Sequence, residues 1–130
     1  MNTGRLKNIL LIDDDPAVAR SLQLILQRSG YVVKAVGNGS LGLQWLEKQP
    51  VDLIITDIYM DVMDGIATVS VVKKQFPQVK IIAISGGSRV VKMDSLSVVK
   101  TLGADRTLTK PMDISVLLAL IAELDAEAGG

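Results

Sequence analysis

Hydrophobic residues fall along this chain in two alternating registers. Short apolar runs at 9–12, 31–36, 53–56, 80–84 and 106–109 have the length of strands, and the segments between them carry apolar residues at helical spacing. The third and fourth runs are rich in β-branched residues on successive positions, the signature of strands buried on both faces of a parallel sheet. A first helix is predicted from near Pro16, capped by Asp14 or Asp15, with Val18, Leu22 and Ile25 inward and Gly30 ending it. A second is predicted over 41–48, closed by Pro50. A third spans 66–75, with Val69, Val72 and Phe76 on one stripe and Asp64 and Gly65 forming a turn before it. A fourth, valine-rich, spans 90–102 and stops at Gly103. Asp113 caps a fifth, whose Leu117, Leu118, Ile121 and Leu124 face inward, and 126–130 reads as a frayed tail.

Five strand-then-helix units in strict alternation predict an α/β fold, a single parallel sheet with helices on both faces. The 130 residues suit one domain, and no repeat, linker or second domain interrupts the pattern.

Composition narrows the chemistry. Lys plus Arg is 14 and Asp plus Glu is 14, a net charge of zero that argues against a chain built to coat nucleic acid or an anionic membrane. Without cysteine, disulfides, thiolate metal sites and thiol nucleophiles are excluded. Without histidine, so are imidazole-ligated zinc and any histidine-based triad. An acid, base or nucleophile must then be Asp, Glu, Lys, Ser, Thr or Tyr. The longest apolar stretch, 116–122, falls well short of the ~20 residues that cross a bilayer. No signal peptide precedes the first strand, and the expected location is the cytoplasm.

In a doubly wound sheet, ligands gather beyond the carboxyl ends of the strands, where strand order reverses. The polar residues fall there. Asp13 and Asp14 follow the first strand in "LIDDDP", and Asp57 follows the third in "DLIITDIYMDVMDG". Ser85 follows the fourth in "IIAISGG", and Lys110 the fifth in "TLTKP". Singly, each has a plainer use as helix cap, turn or solvated loop; together they describe one site. Adjacent carboxylates repel, by about 1 kcal/mol at ~4 Å in water and about 4 at an effective dielectric of 20. A helix start, solvent or a cation could offset that. Carboxylates without imidazole or thiolate are hard oxygen ligands that suit Mg²⁺, with Mn²⁺ as a substitute. A carboxylate held between such an ion and Lys110 can attack phosphorus, and the Ser85 hydroxyl can donate to a phosphoryl oxygen.

At these residues the sequence resembles the receiver domain of bacterial two-component response regulators, the single-domain chemotaxis receivers included. "LIDDD", "ITDIYMDVMDG", "ISGG" and "GADRTLTKP" stand in the family's order and approximate spacing over 7–126. The resemblance implies a flavodoxin-like (βα)5 fold with strand order 2-1-3-4-5, and Asp57 as phosphoacceptor from a histidine of a partner kinase or phosphotransfer protein. It implies Asp13, Asp14, Asp57 and the backbone carbonyl of Tyr59 as Mg²⁺ ligands, Ser85 as switch hydroxyl and Lys110 as the cationic partner. Phosphorylation would shift an inactive–active equilibrium and control a downstream protein through the fourth helix, fifth strand and fifth helix. No turnover of an external substrate is expected, nor direct contact with nucleic acid or membrane.

Three positions depart from the family pattern. Asp61 replaces a loop proline, Thr107 stands where many relatives carry a switching aromatic, and Gly86 replaces a small alanine. An inward ring swing is therefore absent, and the expected route to output is the "GGSR" loop with the fourth helix. The Tyr59 ring is expected to shield an acyl phosphate from water. Four other readings compete. An aspartate-nucleophile phosphatase needs a second acid where Tyr59 stands, and an FMN binder needs a phosphate-accepting first loop where "DDDP" repels phosphate. A non-phosphorylated scaffold would not need all five site residues. A receiver trimmed from a larger DNA-binding or enzymatic regulator would look the same as a complete one.

Overall fold

The computed structural model describes residues 6–58, 64–85, 100, 103–109 and 113–129. Five strands form its centre: β1 (Asn8–Ile12), β2 (Val32–Val36), β3 (Leu53–Asp57), β4 (Lys80–Ser85) and β5 (Arg106–Thr109). All four neighbouring pairs are parallel, in the order β2-β1-β3-β4-β5, which is the flavodoxin-like sheet. The helices are α1 (Pro16–Arg28), α2 (Gly39–Lys48), α3 (Asp64–Gln75) and a C-terminal helix (Ile114–Gly129). The predicted fourth helix, 90–102, lies outside the described residues apart from Lys100.

Alternation along the strands divides the core in two. Ile9, Leu11, Leu53, Ile55, Ile82 and Ile84 face α1 and the C-terminal helix. Leu10, Ile12, Ile54, Ile81 and Ala83 face α2 and α3. Every residue of β3 is buried, as its unbroken apolar run requires. Gly42 lets α2 sit close on β1: a Cβ there would lie 2.7 Å from Ile12 Cδ1.

Several boundaries differ from the sequence pattern. The inward row of α1 is Ala19, Leu22 and Leu26, while Val18 and Ile25 are half-buried. Both rows share Leu22, and the small Ala19 lets the helix approach the sheet. Helix α2 begins at Gly39, two residues early, because Asn38 caps it by accepting from Leu41 N–H at 2.8 Å. Asp64 and Gly65 belong to the first turn of α3 rather than to a separate turn. The C-terminal helix runs on to Gly129, so 126–129 is helical rather than frayed.

The amino end of the sheet is pinned by side chains. Asp52 Oδ2 accepts from Lys7 N–H at 3.0 Å and Asn8 N–H at 2.9 Å, and Asp125 Oδ1 from Leu6 N–H at 2.9 Å. On the far side, Asp105 Oδ2 accepts from Ile81 N–H at 2.8 Å and from Lys73 Nζ at 3.2 Å, joining α3, β4 and the start of β5. These ties leave the opposite, carboxyl edge to the site.

Candidate functional site

The "DDDP" segment resolves into three roles. Asp13 N–H donates to Val36 C=O at 3.1 Å, carrying the β1–β2 ladder one residue past β1. That places the Asp13 side chain at the sheet edge, 5% exposed. Its Oδ1 accepts from Asp15 N–H at 2.9 Å. Asp15 in turn caps α1, accepting from Ala17 N–H at 3.0 Å and Val18 N–H at 3.3 Å, with Pro16 in the first turn. Asp15, not Asp14, is therefore the cap. Asp14 is left exposed and turned to the site.

Asp57 is the last residue of β3 rather than the first after it, and is 7% exposed. Ile58 N–H continues the ladder to Ile84 C=O at 2.9 Å, so the backbone on both sides of Asp57 is fixed. Carboxylate oxygens of Asp13, Asp14 and Asp57 lie within 4.8 Å of one another. Sequence positions 13 and 57 meet because β1 and β3 are neighbours and both end at this edge.

Ser85 closes β4, one residue beyond Ile84, the cross-strand partner of Asp57. It is completely buried, and its Oγ has no hydrogen-bond partner among the described residues. A buried hydroxyl left so costs about 1–3 kcal/mol unless something else engages it. Thr107, two residues before the end of β5, pairs with Ala83 and is half-buried. Lys110, Tyr59, Asp61 and the "GGSR" segment lie outside the described residues.

Gly65 was given no chemistry by the sequence pattern, yet it touches the site. Its Cα packs on the peptide after Asp57, where a Cβ would meet backbone atoms. Eight residues beyond Asp57 and in the first turn of α3, the glycine carries no local sequence signal of this contact. Beside Asp13 and Asp14 a cavity of about 340 Å³ opens, bounded by Pro16, Arg20, Gln23 and Gly37.

The residues present fit a divalent cation of the Mg²⁺ kind. The donors are carboxylate oxygens only, two of the three acids are nearly buried, and their convergence is unfavourable without positive charge. The acidic cluster could thus hold a metal ion, and Ser85 ends β4 at the same edge of the sheet.

The chain matches the family model for the response regulator receiver domain over residues 9–122. It is 33% identical over 114 residues to the transcriptional regulatory protein GlrR of Escherichia coli (strain K12), covering 88% of this chain and 25% of GlrR. It is 32% identical to the DNA-binding transcriptional regulator NtrC of Azospirillum brasilense, covering 93% of this chain and 27% of that protein. The chain thus spans about a quarter of the length of these curated relatives. Among solved structures, a CheY-like response regulator receiver domain protein from Methanospirillum hungatei JF-1 superposes with a TM-score of 0.88 at 30% identity, covering 96% of this chain and 98% of that one. Among the described residues, no helix is long and apolar enough to cross a membrane. Sheet order, edge acids and family match agree, and the chain belongs to the receiver domains of two-component response regulators.

Proposed function

We propose that Asp57 accepts a phosphoryl group from a histidine of a kinase or phosphotransfer protein, and that the resulting shift in conformation controls a downstream partner. The observation that carries this is the convergence of the Asp13, Asp14 and Asp57 carboxylates within 4.8 Å. The family match supports partners of these two kinds, and the absence of a membrane-crossing helix among the described residues fits a cytoplasmic location. Asp13, Asp14 and Asp57, with the Tyr59 backbone carbonyl, would hold Mg²⁺ or its substitute Mn²⁺. When bound, the ion neutralises charge on the transferring oxygens.

The chain's own groups do the rest. An Asp57 carboxylate oxygen attacks phosphorus, the donor N–P bond breaks as the O–P bond forms, and the imidazole leaves with a proton from solvent. The β3–β4 ladder holds the attacking carboxylate in place. Ser85 Oγ–H, without a competing acceptor among the described residues, donates to a phosphoryl oxygen. Lys110 carries the matching positive charge, as its motif implies. Moving a 1:99 equilibrium to 99:1 takes about 5.5 kcal/mol of preference for the active state. Output passes through the "GGSR" loop and the fourth helix to a partner on the face of that helix, the fifth strand and the C-terminal helix. The chain modifies only itself and turns over no external substrate.

A second reading, control of a DNA-binding or enzymatic module joined to this domain, is favoured by the quarter-length match to GlrR and NtrC. The chemistry at Asp57 is the same in both. Incubation with Mg²⁺ and a small phosphodonor, followed by intact-mass measurement, tests it. One added phosphoryl group, absent from Asp57→Asn, is expected; an unmodified parent would remove the proposal and leave the scaffold reading.

A further inference from the structure

The sheet has an open edge beside α2. Strand β2 is an outer strand. Val32 N–H donates to Lys7 C=O at 2.9 Å, and Val36 C=O accepts from Asp13 N–H at 3.1 Å. In a parallel ladder, the positions at 32, 34 and 36 then turn their backbone groups inward, and those of Val33 and Ala35 turn out. Gln23 Nε2 already donates to Val33 C=O at 3.2 Å. Among the described residues, Val33 N–H and both backbone groups of Ala35 have no other partner, and Val33 as a whole is 7% exposed, so an added strand would approach mainly at Ala35 and the Val33 amide.

The side chains next to this edge are basic and apolar. The Lys34 ammonium sits 4.7 Å from the centre of the Trp45 ring, and Val32 is 65% exposed. Two grooves flank that pair. One, of about 430 Å³, lies between Val36, Leu41 and Lys48; the other, of about 230 Å³, between Val32, Gln49 and Pro50. No acid lines either groove, and neither Lys34 nor Lys48 has a carboxylate partner among the described residues. Lysines commonly protect an outer strand by projecting across it. Lys34 instead lies over Trp45 and does not project across the outward groups at Val33 and Ala35, of which Val33 C=O alone is taken, by Gln23.

We propose that this edge docks an extended acidic segment of a partner protein. The segment pairs with Val33 and Ala35 as an added strand, and its carboxylates on the α2 side meet Lys34 and Lys48. Charge selects this occupant over a second copy of the chain. Two β2 edges joined through Val33 and Ala35 would set Lys34 of one directly beside Lys34 of the other.

Trp45 is the only tryptophan, so its emission reports on the groove without a label. The probe is a blocked heptapeptide alternating valine and glutamate, added to the unphosphorylated protein so that the outcome is independent of Asp57 chemistry. A saturable change in Trp45 emission is expected, with slowed hydrogen exchange at the Val33 and Ala35 amides and weaker binding of a valine–lysine heptapeptide. Lys48→Gln keeps the Lys34–Trp45 contact and should weaken binding by up to about fivefold, the range of one exposed ion pair. Lys34→Gln should do the same. Unchanged exchange at Val33 and Ala35, or equal binding of the valine–lysine peptide, would overturn the proposal. So would sedimentation showing that the protein alone dimerises with these amides protected.

Discussion

Gly65 rests directly on the peptide that follows Asp57: a Cβ there would lie 2.7 Å from the Asp57 carbonyl oxygen and 2.4 Å from Ile58 Cα. Both are backbone atoms of a strand end tied to β4, so neither can turn aside as a side chain could. Gly65→Ala must push α3 away from the sheet or distort the Asp57–Ile58 peptide. A loss of about 1–3 kcal/mol in urea unfolding is expected, the usual cost of overpacking. Phosphorylation of Asp57 should slow in parallel. Ala67→Ser, at an exposed position of the same helix, should cost no more than about 0.5 kcal/mol in helix propensity and leave the phosphorylation rate unchanged.

The part of this arrangement legible in the sequence is the part that follows from period and topology. The β5 run at 106–109 matches the observed strand at both ends. Strands β3 and β4 each run one residue further than their apolar runs, because Asp57 and Ser85 keep extended backbone while ending the hydrophobic pattern. Asp13, Asp14 and Asp57 could be grouped because parallel strands end at one edge. The choice of Asp15 over Asp14 as the cap, and the packing of Gly65, could not, since both depend on distances of a few ångströms. Alanine and glutamate at 126–128 are good helix formers, which is why the last helix outlasts the expected frayed end. Lys34 over Trp45 joins two elements whose contact no local pattern encodes.

Without a cation, the acid trio repels itself. Asp14 is the exposed member, and Asp14→Asn should raise the stability of the metal-free protein by about 1 kcal/mol, the Coulomb energy of a solvated pair at ~4 Å. The same change should shrink the stabilisation by Mg²⁺, which for the parent reaches about 2.7 kcal/mol at a hundredfold excess over Kd. Thermal melts in EDTA and in MgCl₂ should therefore move in opposite directions on substitution. A parent melting curve indifferent to Mg²⁺ would disprove metal binding by this trio.

Asp105 serves the opposite end of the sheet. It takes the Ile81 N–H and the Lys73 ammonium together, and Lys73 also donates to Val79 C=O at 3.1 Å. Asp105→Ala leaves both donors short of a partner and should cost about 1–3 kcal/mol. Lys73→Met should cost less, since Ile81 N–H keeps its acceptor. Because these groups sit at the amino ends of β4 and β5, neither change should alter the rate of Asp57 phosphorylation in conditions where the protein stays folded.

Asp113 gives a pH signature at the start of the C-terminal helix. Its Oδ1 accepts from Ser115 Oγ at 2.6 Å and from Ser115 N–H at 2.8 Å. These bonds, the hydroxyl first, hold its carboxyl below the ordinary 3.8. A lowered pKa means that the cap stabilises the fold above 3.8 and that this contribution fades as pH falls through the lower folded value. Ser115→Ala should move the Asp113 titration back towards 3.8, read by carboxyl-carbon NMR. An unmoved titration would show that the Ser115 hydroxyl is not the cause, since the Ser115 N–H bond survives the substitution.

Ser85 separates stability from signalling. Its buried Oγ has no hydrogen-bond partner among the described residues, so Ser85→Ala removes a desolvated hydroxyl and breaks no bond to any of them. Urea unfolding of the unphosphorylated protein should change little, or show a gain within about 1 kcal/mol. The phosphorylated state should respond differently, because there the hydroxyl is expected to hold a phosphoryl oxygen. Phosphorylation of Ser85→Ala should still add one group at Asp57 by intact mass, while the spectral change that accompanies it in the parent is reduced. A large loss of stability before phosphorylation would mean that Ser85 has a structural partner instead. An undiminished spectral change would mean that the hydroxyl has no part in the switch.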